Sequence, residues 1–347
     1  MKKKISFASA LNKNKSYLLV VIMTVVMTVL VMAGVITRRT PFVTPNLLTE
    51  ISYTMIMVVS LNLVVGFLGE LSLGHAGFMY IGAYVSGLFM HYTQAVITQP
   101  LLRLVLAMLI GGMAAMLFGF IVGLPALRLR GDYLAIVTLA FGEIVRGVLK
   151  NITVEGFIQI PAVGFNNKLL AQSYSAHLFL IGFITVLITL FCVQNIANSK
   201  HGRAITAIKD NEIAARSMGV NITYYKLIIF AIAAFFAGIA GAIFANYTTV
   251  SPDIFDYNYS IEFLVMVVLG GMGSVFGSLI SSIIIVFVNN LLRSTLTGNL
   301  AGLKNLVYAL ILIVMMIFSS APKLAPLREK LSWKNVKAKL GKKNKEI

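Results

Sequence analysis

The chain has 347 residues, of which 58% are hydrophobic and only 12% charged, with a mean hydropathy of +0.88. A water-soluble domain needs roughly 25% charged residues to wet its surface, so this composition excludes one and leaves a membrane protein. The net charge of +17 would suit nucleic acid, but it gathers at the chain's ends and between apolar blocks, as membrane topology and attraction to anionic lipid require. Lipid is the expected surroundings, the cell membrane the expected location, and nucleic acid is not expected as a partner.

The apolar residues come in blocks near 20 long, enough to cross a ~30 Å hydrocarbon core as helix. Blocks this continuous satisfy their backbone as helices, not as a barrel. The fold class expected is therefore all-α: a polytopic bundle of about ten transmembrane helices with both termini cytoplasmic. In chain order, a basic stretch 1–15 with five lysines precedes a span at 16–36, whose length and lack of an A-x-A site mark a retained helix rather than a signal peptide. Further spans are predicted at 46–66, 75–92, 101–126, 132–149, 175–195, 223–247, 260–276, 278–293 and 301–319. Residues 16–319 form the transmembrane body and 320–347 a lysine-rich tail that contains Trp333.

The basic residues test this topology. The inner segments hold five Lys before the first span, Arg128 and Arg130, five from Lys200 to Lys226, and nine in the tail, which is 21 of the 29 Lys and Arg. An even span count keeps both lysine-rich ends on one side, as the positive-inside rule favours. Loop 150–174 falls outside. Cys192, the only cysteine, sits in an apolar run and allows neither a disulfide framework nor a cysteine metal site.

Loop 196–222 falls inside and is polar in overall character. Ala204–Met218 reads as one short helix ended by Gly219. A helix too polar for lipid, placed between two spans, needs a protein partner to cover it.

Motifs for chemistry are missing: no G-x-x-x-x-G-K-[ST] phosphate loop, no H-E-x-x-H and no G-x-S-x-G. The chain is not expected to be an enzyme, to hold a metal or to carry a cofactor of its own; any energy comes from another subunit or an ion gradient. Glycine is the positive signal, dense over Gly66–Gly77 and again over Gly270–Gly277. Two readings stay open, close helix packing through small residues, as in Gly119-x-x-x-Gly123 and Gly273-x-x-x-Gly277, or broken helices lining a solute path. Glu143 and Arg146, at i and i+3, are spaced to pair within their span. His75 reads as a helix-end histidine with a backbone partner, Asp132 as an N-cap carboxylate, and Glu262 as reaching water at the outer start of its span.

Several ordered blocks carry a resemblance: SLNLVVGF (60–67), LSLGHAGFMYIGAY (71–84), GLPALRLRGDYLAIVTLAFGEIVR (123–146), GRAITAIKDNEIAARSMGVNITYYKL (202–227), AGIAGAIFANY (237–247), SPDIF (251–255) and MVVLGGMGSVFG (266–277). Spread over residues 55–293, they resemble the branched-chain amino acid ABC permeases of the LivM type. The resemblance implies an importer subunit paired with a sister permease, two cytoplasmic ATPase subunits that bind the ATP and Mg²⁺, and an extracytoplasmic substrate-binding protein. Ala214-Ala215-x-x-x-Gly219 looks like the coupling motif that enters the ATPase cleft. Arg203, Lys209, Asp210, Asn211 and Glu212 stand around it. On the broken-helix reading, Asn62, Gly69, Ser72, Gly74, His75, Thr138, Glu143, Gly270, Gly271 and Gly273 are candidates to line the path.

Two departures separate this chain from the family pattern: NITVEGFIQIPAVGF (151–165) in place of a TGGxxG-like run, and SSAPKL (319–324) in place of R-P-x-G-L. Urea, nucleoside and other small-solute permeases share the architecture and remain alternatives for the solute. An ion-coupled secondary transporter would need intramembrane acids at an ion site, and a membrane enzyme a cluster of acids or a metal site; neither pattern is present.

Overall fold

A computed structural model describes residues 15–33, 44–152 apart from 128 and 130, and 171–295, with positions 307, 309, 310 and 313 beyond them. Two compact units divide the chain, Met1–Thr295 and Leu296–Ile347, and every helix named below belongs to the first. The predicted span 301–319, both basic termini, Arg128, Arg130 and most of loop 150–174 lie outside the described residues.

The described residues form helices α1 (Lys15–Met32), α2 (Pro45–Asn62), α3 (His75–Tyr92), α4 (Pro100–Ala126), α5 (Asp132–Asn151) and α6 (Ala171–Asn198). There follow α7 (Lys200–Asp210), α8 (Glu212–Ser217), α9 (Ile222–Tyr247), α10 (Tyr257–Gly270) and α11 (Val275–Thr295). A π-helical turn, Leu63–Leu68, continues α2. Nine of these helices fall on predicted spans. Five stretches, Pro45–Leu68, Pro100–Ala126, Leu178–Asn198, Ile222–Tyr247 and Val275–Thr295, are each long and apolar enough to cross a membrane.

Polar residues set the helix starts. Thr44 caps α2 by accepting from Leu47 N at 3.2 Å, with Pro45 as its first residue. Asn221 does the same for α9 and Asp256 for α10. In each case a side-chain oxygen takes one of the N–H groups that a helix start leaves free.

The bundle is organised around α2 and α9. Of their most apolar windows 94% and 78% are buried, against 39% for α4 and α11, so the first pair forms the core and the second presents apolar faces outward. Along α4, Val105, Leu109, Met113, Leu117 and Ile121 are exposed, a stripe suited to acyl chains and not to water. Its other face meets α9 through small residues: a Cβ at Gly119 would stand 2.8 Å from that of Ala234, and one at Gly238 would overlap Ala115 and the Gly111–Gly112 backbone. Along this seam the packing reading of the glycines holds, since backbones this close leave no room for side chains.

Three expectations are corrected. The span placed at 260–276 stops at Gly270; its 14 residues rise only about 21 Å, short of the ~30 Å hydrocarbon core. The helix expected over Ala204–Met218 is two helices, parted where Asn211 leaves helical geometry (φ −156°) and uses its side chain to cap α8 through Ala214 N at 3.0 Å. At the start of α5 the cap position belongs to Gly131 (φ 60°), and Asp132 is the first helical residue.

Candidate functional site

Both glycine-rich stretches are places where a helix breaks, and the two breaks touch. After the π-helical turn the chain leaves helix at Gly69, whose φ of 81° favours glycine. Gly271 and Gly273, at φ 91° and 85°, separate α10 from α11. Asn62 joins the two: its Oδ1 accepts from Gly273 N at 2.8 Å, and its Nδ2 donates to Ser278 Oγ at 2.8 Å. Gly66 lies against the same loop, and a Cβ there would overlap both Asn62 Oδ1 and Gly273 N.

Residues 69–74 then run without helix back alongside α2. His75, the first residue of α3, places Nε2 2.9 Å from Ser60 Oγ, although Ser60 lies eight residues, roughly 12 Å of helix, before Leu68. Ser60 Oγ also lies 2.9 Å from Met57 O. The partner of His75 is thus a side chain, not the backbone group expected. Non-helical backbone and a helix start inside a bundle need partners from their neighbours, and α5 and α10 supply them: Leu73 N donates to Thr138 Oγ1 at 3.0 Å, and Ala76 N, in the first turn of α3, donates to Ser260 Oγ at 3.1 Å. Gly74 fits flush against Thr138 O, where a Cβ would overlap. Ser72 Oγ is buried without a partner among the described residues.

The substrate-path candidates therefore sort into groups. Asn62, Gly69, Gly270, Gly271 and Gly273 meet at the paired breaks; Ser72, Gly74, His75 and Thr138 hold the extended segment. Glu143 stands apart. It pairs with Arg146 at 2.8 Å and accepts from Tyr257 N at 3.1 Å, so it clamps the start of α10 with both oxygens engaged.

The polar elbow of α7 and α8 is fixed to the first break. Ending in a π turn leaves Gly66 O without a backbone donor, since Glu70 N turns back to Val64 O. Lys209 of α7 fills the gap, donating from Nζ to Gly66 O at 2.7 Å. A cation at a helix C-terminus is also favoured by the helix dipole. The second tie is ionic: Lys226, near the start of α9, pairs through Nζ with Glu70 of the break and with Glu212 of α8 at 3.4 Å. Its side chain is 3% exposed, that of Glu70 12% and that of Glu212 23%. Glu212 is shared with Arg216, also at 3.4 Å. One buried ammonium thus joins the elbow, the first break and the start of α9.

Two large apolar side chains stand out on the otherwise polar exposed face of the elbow. Ile213 is 72% exposed and Met218 84%, with Ala214 exposed between them; Arg203 and Asp210 are also exposed. Ala215 instead faces inward and is buried, so a charge there would unseat α8 rather than alter its outer face. Gly219 closes the elbow at φ 81° with open space around it, while Val220 N donates back to Ala215 O at 3.1 Å, the six-residue closure of a left-handed helix cap. Ile213 and Met218, two large apolar residues in a polar segment, were a signal available in the sequence. Lys226 with Glu70 was not, since 156 positions separate them.

A bundle of apolar helices in which two helix breaks touch and a polar elbow is tied to one of them suits a membrane transporter. Comparison with known proteins narrows this: residues 43–319 match the family described as branched-chain amino acid transport system, permease component, and the chain belongs to it. Over 316 residues it is 36% identical to the high-affinity branched-chain amino acid transport system permease protein LivM of Escherichia coli, covering 82% of this chain and 72% of the relative. A probable branched-chain amino acid permease LivM of Methanocaldococcus jannaschii is 26% identical over 49% of this chain and 51% of the relative. The ribose import permease RbsC of Haemophilus influenzae is 33% identical over 26% of this chain and 30% of the relative. No solved structure matches.

Proposed function

We infer that this chain is the membrane permease subunit of an ATP-driven importer for branched-chain, apolar amino acids. It works with a sister permease, two cytoplasmic ATPase subunits that hold ATP and Mg²⁺, and an extracytoplasmic substrate-binding protein. The family and the 36% identity to a branched-chain amino acid permease support the solute class. The observation that carries the mechanism is the double tie between the elbow and the first helix break, Lys209 to Gly66 O and Lys226 to Glu70 and Glu212.

The exposed Ile213, Ala214 and Met218 would enter the ATPase cleft, an apolar knob into a groove. Closure of the ATPases displaces the elbow. Because Lys226 and Lys209 hold the elbow to Glu70 and Gly66, the displacement reaches the 62–74 segment directly, without crossing the length of a helix. Asn62 carries it on to the second break through Gly273 and Ser278. Packed helices have discrete arrangements, so a shift at two adjoining breaks switches access from one membrane face to the other. The chain supplies no nucleotide chemistry of its own in this scheme.

The test is reconstitution into liposomes of the chain with its sister permease, ATPases and binding protein. ATP-dependent, binding-protein-dependent uptake of leucine, isoleucine or valine is expected, with no ATP turnover by the purified chain alone. Uptake that persists without ATP and follows an ion gradient would refute the energy source; uptake of ribose or urea in place of amino acids would refute the solute.

A further inference from the structure

Helix α5 is held in two different ways along its length. Up to Gly142 it is packed on α3 and its neighbours: Leu134, Ala135 and Thr138 are buried, Phe141 lies 5.1 Å from Phe78, and a Cβ at Gly77 would stand 2.9 Å from Gly142 Cα. From Glu143 to Asn151 the apolar contact runs out. Only Val145 is buried there, Ile144 and Val148 are exposed, and Gly147 has open space around it.

Polar contacts hold this far half instead. Glu143 Oε1 accepts from Tyr257 N, at the first residue of α10, at 3.1 Å, while Oε2 stays with Arg146. Lys150 faces Asp253 at 3.8 Å with both side chains more than half exposed, and the Tyr84 hydroxyl stands 3.4 Å from Ile152 O. Exposed ion pairs and long hydrogen bonds of this kind contribute little. The carboxylate keeps Arg146 when Tyr257 N departs, so opening the contact leaves no bare charge.

The opposite side of the contact is fixed. Phe255 is buried, stacks on Tyr80 at 4.6 Å and meets Phe244 edge-on at 5.1 Å, which anchors turn 251–257 on α3 and α9. From this turn α10 runs 14 residues, about 21 Å, to the second break. The contact therefore lies at the end of α10 remote from the breaks and from the elbow tied to them. Nearer the breaks, α5 touches the extended segment: Leu73 N donates to Thr138 Oγ1 and Gly74 lies flush on Thr138 O. Displacement of that segment by the elbow acts on α5 directly, and Glu143 is only five residues, about 7.5 Å, further along the same helix.

We propose that α5 from Glu143 onward is the moving leaf of a gate at the end remote from the elbow, with Glu143 the positioning residue that latches it to the anchored turn at Tyr257. The proposal rests on the importer reading and adds the element that parts when solute enters. A latch of one shared carboxylate and one exposed ion pair holds at rest and yields to a displacement that the glycine-packed seam of α4 and α9 resists.

The test uses the complete transporter in proteoliposomes, with Lys150→Cys and Asp253→Cys in a Cys192→Ala background, tethered by a short reducible thiol cross-linker. Both tethered positions are exposed, so the untethered variant should import within threefold of the unmutated rate. Tethering is expected to cut ATP-dependent leucine uptake at least tenfold, and reduction to restore it. Cross-linking yield should change at least threefold between nucleotide-free and ATP–vanadate-trapped complexes, a readout that needs no solute. Full uptake by the tethered transporter, or a yield indifferent to nucleotide, overturns the proposal. Glu143→Ala should raise ATP hydrolysis without binding protein at least threefold, since an easier gate favours by linkage the ATPase state that accompanies its opening. Glu143→Gln, which keeps an oxygen for Tyr257 N, should reverse most of that rise. Hydrolysis and uptake that fall together in both variants would make Glu143 structural and remove the latch. Should Glu143→Ala fail to fold, the tether on the chain with Glu143 intact still decides. Import insensitive to the tether would sink this inference alone; failure of the unmutated transporter to import amino acids would sink the functional reading beneath it.

Discussion

Replacing Lys226 by Met keeps most of the side-chain volume and removes the ammonium between Glu70 and Glu212. Two carboxylates, 12% and 23% exposed, would then face each other across the contact between elbow and break. Removing one partner of a buried pair costs about 3–5 kcal/mol, because the remaining charge stays buried and uncompensated. Glu212 retains Arg216 at 3.4 Å and is partly screened by water, which places the cost at the low end, about 3 kcal/mol. At 1.4 kcal/mol per tenfold, the seated elbow should lose about a hundredfold in population relative to the detached one. Amide hydrogen exchange over residues 203–218 reads this directly: protection should fall by about two orders of magnitude while the centre of α9 keeps its own. Coupled uptake should fall with it. Adding Glu70→Gln to Lys226→Met removes the uncompensated charge and should restore part of the protection, a non-additivity expected of groups in one network. Protection unchanged within threefold in the single variant, with normal uptake, would refute the claim that this ammonium holds the elbow.

Three other outcomes are expected. Asn62→Leu strands Gly273 N–H and Ser278 Oγ at about 1–3 kcal/mol each, so the chain should melt at lower temperature and transport poorly; a melt like that of the unmutated protein would show the two breaks do not depend on Asn62. Ile213→Ser combined with Met218→Ser changes only exposed positions and should shift stability by no more than about 0.5 kcal/mol, yet weaken ATPase association at least tenfold in a pull-down titration; intact association would remove these side chains from the interface. Gly219→Pro removes the N–H that donates to Arg216 O and forces φ to about −65° where 81° is found, so it should uncouple ATP hydrolysis from uptake while membrane insertion stays intact; wild-type uptake would count against the coupling role.

The helical class and the positions of nine helices were legible because the signal is local: a long run of apolar residues means the same thing whatever lies beside it. Cap residues such as Thr44, Asn221 and Asp256 are equally local, acting within three positions of themselves, although the boundaries were drawn without them. The glycine runs 66–77 and 270–277 marked where helices break, but composition could not separate that from packing, and the chain uses both. The single helix expected over 204–218 failed at Asn211, because good helix formers on both sides outweighed, in sequence, a side chain that in the fold caps α8 instead of continuing α7.

The sequence by itself determined that this chain crosses the membrane many times, carries a polar elbow and, through its ordered blocks, belongs among amino-acid permeases. Only the tertiary structure decided that Lys209 caps Gly66, that Lys226 serves Glu70 and Glu212 together, that Asn62 stitches one break to the other, and that Arg293 stands beside Glu50. The physical reason is sequence distance. The pairs Lys209–Gly66, Lys226–Glu70, Asn62–Gly273 and Arg293–Glu50 lie about 140 to 240 positions apart, and a buried ion or amide is tolerable only where the folded neighbours complete it, which no local pattern records.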